Sequence, residues 1–150
     1  NTSENHKNTA VAIQEQLKPL GIEVSLVNTD TKTHYGFLEQ KGDFDTARVG
    51  WIADYKDPET FLGVARKASG NNYSVYDNPK FEEAMDKAAA SGGKPEERMK
   101  DLQEAERIVL SDTGFIPILY YSYKNLVSPK LKGFDENVMD VHPTRFMSKE

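Results

Sequence analysis

The sequence predicts an α/β fold, a mixed β-sheet flanked by helices. Three observations predict it. Residues 3 to 51 alternate helical and strand periodicity in the order α-β-α-β, which implies a parallel or mixed sheet with helices laid on it. An apolar, aromatic run from Phe115 to Tyr123 reads as a further strand. Between these two regions lie amphipathic helices whose ends are marked by Pro, Gly and Asn.

Taken in order, Ser3 caps a helix running to about Lys18, with Ala10, Ile13 and Leu17 at helical spacing and Pro19 and Gly21 ending it. Ile22 to Asn28 supplies a strand, Thr33 to Lys41 a second helix closed by Gly42, and Phe44 to Trp51 the next strand. Glu59 to Ala65 reads as a short helix with Asp57 at its N-cap and Pro58 at its first position. A polar loop follows, Arg66 to Tyr76, rich in Gly, Asn and Ser. Asp77 or Asn78 then caps a helix with Pro79 at its first position and Phe81, Met85 and Ala88 along one side, and Ser91, Gly92 and Gly93 break it. Pro95 to Ser111 forms another, with Met99, Leu102, Ala105 and Val109 at core spacing and a densely charged face that reads as solvated surface. Pro117 suits an edge or entry position in the Phe115 to Tyr123 strand. There is no internal repeat and no low-complexity tract.

With 150 residues the chain is long enough for one domain with a real core. A net charge of −5 and a pI near 5.3 argue against nucleic acid as the main partner. A mean hydropathy of −0.67 with no long apolar run excludes a transmembrane helix. The absence of cysteine removes thiol catalysis, disulfides and thiolate metal sites together, and leaves the redox compartment open. His6, His34 and His142 are far apart and lack metal-ligand spacing. No Gly-x-Ser-x-Gly elbow, Walker loop or dinucleotide glycine fingerprint occurs.

The stretch from Gly42 to Leu62, GDFDTARVGWIADYKDPETFL, concentrates the chemistry. A strand over Phe44 to Trp51 puts Asp45, Ala47, Val49 and Trp51 on one face and Phe44, Thr46, Arg48 and Gly50 on the other. Ile52 to Pro58 is a turn-rich connection. Ligands bind at strand ends in open α/β sheets, so Arg48, Trp51 and Asp54 are binding candidates. Asp54 is alternatively a turn aspartate bonded to local amides. Arg48 is alternatively a structural ion-pair partner of Asp45 or Asp43. Asp54, Asp57 and Glu59 alternate as calcium ligands would, but the glycine and terminal glutamate of an EF-hand loop are missing. Asp43 and Asp45 lie together at a strand start with nothing to raise a pKa for general acid catalysis.

This stretch resembles the extracytoplasmic oligopeptide-binding proteins of ABC importers, within the family 5 bacterial extracellular solute-binding proteins. The resemblance extends over the opening NTSENHKNTAVAIQEQLKPLGIEV, the core FDTARVGWIADYKDPETFL, the helix start YDNPKFEEAMDKA, the run RMKDLQEAERIVLSDTGFIPILYYSYKNLVSPKLKGF and the closing DVHPTRFMSKE. Several matches in the same order at compatible spacing make it specific.

The resemblance implies one lobe of a two-lobed periplasmic-binding-protein type II fold, binding peptides by lobe closure without catalysis. It implies that Asp54 receives the peptide α-ammonium group and that Arg48 meets the peptide carboxylate. Trp51, Tyr121, Tyr55 and Tyr120 would line side-chain pockets, or alternatively serve as core aromatics. Residues 1–121 would be the C-terminal ligand-binding lobe, short of its first strand. Residues 122–150 would recross the hinge and pack on the other lobe, with Leu126, Val127, Leu131, Phe134, Val138, Val141 and Phe146 as the apolar contacts. The chain begins in a helix N-cap region, with no signal peptide and no lipid-attachment cysteine, and is read as a fragment. Expected partners are a peptide, the other lobe and an ABC permease, with membrane contact only through that permease or a lipid anchor. The expected location is periplasmic or otherwise extracytoplasmic, with no cofactor and no metal. Alternative cargoes are a dipeptide, a murein peptide, a nickel complex or haem; the alternative from another class is a carboxylate-dependent hydrolase.

Overall fold

The computed structural model describes residues 3–137 and 139–150. The backbone divides into two compact units, Asn1–Ala47 and Arg48–Glu150.

In the first unit, α1 covers Glu4–Leu17 and Ser3 precedes it in an extended conformation. Pro19 turns its end into a 3-10 turn, Lys18–Leu20, and Gly21 stops it at φ 74°, donating its N–H to the Lys18 carbonyl at 2.9 Å. The predicted core positions of α1 are only half-buried, and the helix has no fully buried residue. The Gln14 side-chain amide donates to the Val24 carbonyl at 2.7 Å and so ties the following segment to α1. α2 covers Thr31–Glu39. It starts two residues before the predicted Thr33 because Asp30 caps it, accepting the Thr33 N–H at 3.1 Å and the Thr33 hydroxyl at 2.6 Å. A Cβ on Gly42 would meet the Phe37 ring at 2.2 Å, so a side chain there would displace that exposed ring. The positive φ of the α2 exit falls instead on Lys41, at 55°.

The second unit contains α3, Glu59–Leu62, which continues as a 3-10 turn over Gly63–Ala65. It also contains α4, Pro79–Ala90, and α5, Pro95–Ser111, both beginning at the predicted prolines. Asn78 caps α4, accepting the Lys80 N–H at 2.8 Å. α4 and α5 pack together around Phe81, Ala84, Met85, Ala88, Leu102, Ala105, Ile108 and Val109, with Ala65 buried in the same cluster. Leu62, Tyr76 and Phe115 pack against its edge. Met99, expected in this core, is 41 % exposed. At 3.6 residues per turn Arg98, Leu102, Ala105 and Val109 share one face, so Arg98 takes the inward place in the first turn.

The predicted strands Ile22 to Asn28, Phe44 to Trp51 and Phe115 to Tyr123 carry no ladder in the structure. Among the described residues the sheet is one antiparallel pair, β1 (Leu131–Lys132) and β2 (Ser148–Lys149), in the register Leu131 to Lys149 and Lys132 to Ser148. The physical reason is the nature of the two elements. A helix closes its hydrogen bonds within itself, whereas a strand exists only through a neighbour. Of the expected tail contacts, Leu126 is fully exposed, Val141 and Phe146 are largely so, and Val138 lies outside the described residues.

Candidate binding turn between Trp51 and Thr60

Two ties hold the connection from Trp51 to Thr60, and both run to helices. The first is the Thr60 hydroxyl on α3, in a residue only 5 % exposed. It accepts the Trp51 indole N–H at 3.1 Å and the backbone N–H of Asp54 at 3.3 Å. The second is Arg98 on α5. Its guanidinium donates to both Asp57 oxygens at 2.9 Å and to Glu59 Oε2 at 3.2 Å, a bidentate fork with a third bond. Asp57 Oδ1 also accepts the Glu59 N–H at 2.9 Å, which performs the predicted capping role although Pro58 is the residue adjoining α3.

These contacts set the electrostatics. Hydrogen bonds from Arg98 hold the Asp57 carboxyl below its ordinary value, against the opposing effect of partial burial. Partial burial pushes the Tyr55 phenol above its ordinary value, reinforced by the negative charges of Glu59, Asp57 and Asp54. The turn thus carries three carboxylates and the exposed Lys56, and Asp57 and Glu59 engage the Arg98 guanidinium that faces them from α5. Among the described residues no hydrogen bond or ion pair engages the Asp54 carboxylate, and its residue is exposed.

The other candidates fall as follows. Arg48 donates from Nη2 to the Tyr121 hydroxyl, which brings two candidates from distant parts of the sequence together. Trp51 is half-buried on Thr60, Tyr55 is 49 % exposed beside the acidic turn, and Tyr121 is 58 % exposed. Tyr120 is 97 % exposed, which excludes it from the core of the described structure. Asp57 and Glu59, read as possible calcium ligands, direct their oxygens at Arg98.

Sequence reasoning missed Thr60 and Arg98. Thr60 left a signal, a polar residue next to apolar Phe61 and Leu62 immediately after a Pro-started turn. Arg98 left one as well, since it falls one turn before Leu102 on the Leu102, Ala105 and Val109 face of α5, but its charge was read with the solvated residues around it.

Residues 1–73 match the profile of the bacterial extracellular solute-binding proteins, family 5, in its middle part. The periplasmic murein peptide-binding protein of Escherichia coli is 34 % identical over 149 residues, which cover 98 % of this chain and 27 % of that protein. The periplasmic oligopeptide-binding protein of Haemophilus influenzae is 37 % identical over 137 residues, 89 % of this chain and 25 % of that protein. The chain belongs to the family 5 solute-binding proteins. It spans about a quarter of the length of these relatives. A crystal structure of the Haemophilus influenzae protein in complex with RPPGFSPFR superposes with a TM-score of 0.83 at 34 % identity, covering 99 % of this chain and 29 % of that one. The unliganded open form of the murein tripeptide-binding protein gives a TM-score of 0.79 at 34 % identity, with the same coverage. The fold class is therefore that of the two-lobed periplasmic peptide-binding proteins, and the family and these relatives are binding proteins.

Proposed function

We propose that the chain is part of an extracytoplasmic peptide-binding protein that serves an ABC importer and performs no catalysis. Residues 1–121 form most of a ligand-binding lobe, and residues 122–150 recross the hinge toward a second lobe. Peptide main-chain groups pair with extended backbone as the lobes close, and the ends of the peptide supply the fixed anchors. Asp54 receives the α-ammonium group, Arg48 the carboxylate, and Trp51, Tyr121, Tyr55 and Tyr120 line the side-chain pockets.

The observation that carries this reading is the unengaged Asp54 carboxylate at the end of a turn held on both sides. An ammonium group enclosed in a closed cleft needs an anion, or its desolvation is uncompensated. Asp57 is unsuited to that task because Arg98 already neutralises it. The names and structures of the relatives support peptides as cargo, and the 34 % identity to a murein peptide-binding protein favours murein peptides as a second reading of that cargo. Membership in a family of extracellular binding proteins, together with periplasmic relatives, supports the location.

The test is native mass spectrometry of the ligand that co-purifies with the full-length protein. Peptides with free amino termini are the expected cargo. A murein tripeptide would select the second reading, and a nickel complex or haem would overturn the peptide assignment.

A further inference from the structure

We propose that Thr60 is the positioning residue of this turn: one buried hydroxyl accepts from both Trp51 and Asp54 and thereby sets the preference for a free peptide amino terminus. The inference rests on the reading of Asp54 as the amine anchor and goes beyond it.

The geometry has three layers. Asp54 reaches a ligand only from the place its backbone gives it, and that backbone N–H is fixed at 3.3 Å from the Thr60 Oγ1. The same oxygen receives the Trp51 indole N–H at 3.1 Å, so the pocket aromatic and the carboxylate move as a unit. Thr60 is in turn carried by α3, whose start is clamped through Asp57 and Glu59 to Arg98 of α5. A hydroxyl oxygen has two acceptor sites, and both bonds can be made at once. A valine in this position keeps the shape and removes the acceptor, which leaves two N–H donors without their partner. A serine keeps the acceptor.

The role differs from mere packing in what it predicts. A residue that only stabilises the fold lowers the affinity for every peptide alike. A residue that aims Asp54 acts on the amine in addition to any loss through Trp51, which free and acetylated peptides share, so the ratio between the two isolates the amine.

The experiment measures tetra-alanine binding by calorimetry, with free and with acetylated amino termini, in the full-length protein and in Thr60→Val, Thr60→Ser and Asp54→Asn. The readout is the free-to-acetylated affinity ratio. Thr60→Val is expected to lower that ratio about tenfold, and Thr60→Ser to keep it within about twofold. If the valine variant does not fold, Thr60→Ala also lacks the hydroxyl and carries the same expectation. An equal loss for both peptides, with the ratio kept, would make Thr60 a structural residue and overturn the inference. An intact ratio in Thr60→Val beside a collapsed one in Asp54→Asn overturns the inference alone. A wild-type protein without preference for the free amine overturns the reading of Asp54 and this inference with it.

Discussion

Asp54 and Asp57 sit three residues apart in one turn and have opposite fates. Asp57 is gripped by both arms of Arg98 and caps the backbone of Glu59, so its charge is committed to the fold. Asp54 is held only through its backbone N–H, and among the described residues nothing engages its carboxylate. The difference teaches how a protein keeps an anion available. A neighbouring acid absorbs the local cation, a buried hydroxyl fixes the backbone, and the remaining carboxylate is presented without a partner.

The comparison predicts that stability follows Asp57 and not Asp54. Replacing Arg98 by methionine leaves Asp57 and Glu59 facing each other without a cation. Chemical denaturation of the 150-residue chain is expected to register a loss of about 1 to 2 kcal/mol, allowing for partial solvent screening. Asp54→Asn is expected to change stability by less than about 0.5 kcal/mol. A comparable loss from both variants would erase the distinction.

A smaller effect sharpens the same contrast through pH. The folded state holds the Asp57 carboxyl below its ordinary value of 3.8, chiefly through Arg98. A depressed carboxyl contributes stability that is present above its unfolded value and is lost as pH falls through its folded one. The stability gap between wild type and Arg98→Met is therefore expected to be constant from neutral pH down to about pH 5 and to shrink below about pH 4. A gap that widens on acidification would contradict the assignment of this charge pair.

How much of this was legible in the sequence depends on the range of the interactions. Pro79 and Pro95 marked helix starts that the structure reproduces, because caps, prolines and 3.6-residue periodicity act within a few residues. The strands at 22–28, 44–51 and 115–123 showed the right composition, but pairing is a long-range event that composition cannot supply. Their apolar residues stay outside the core, with Ile116, Ile118 and Leu119 each more than half exposed. The same limit applied at the site. Asp54, Arg48 and Trp51 were visible as a cluster at a strand end, and Asp57 as a cap. Arg98, 41 residues from Asp57, and Tyr121, 73 from Arg48, joined them only through tertiary packing. Met99 shows a finer limit: spacing located the inner face of α5 and allows either Arg98 or Met99 one turn before Leu102, and the contact with Asp57 shows that Arg98 takes the place.

The central claim is that Asp54, and not its acidic neighbour, meets the peptide amine. Calorimetry on the full-length protein, with free and N-acetylated forms of one peptide against wild type, Asp54→Asn and Asp57→Asn, tests it most directly. The account predicts that Asp54→Asn weakens the free peptide by about two to three and a half decades, corresponding to about 3 to 5 kcal/mol for a buried pair broken on one side. It predicts little change for the acetylated peptide, which already binds poorly, and a much smaller loss from Asp57→Asn. Undiminished binding of the free peptide by Asp54→Asn would contradict the claim and return Asp54 to the status of a turn residue.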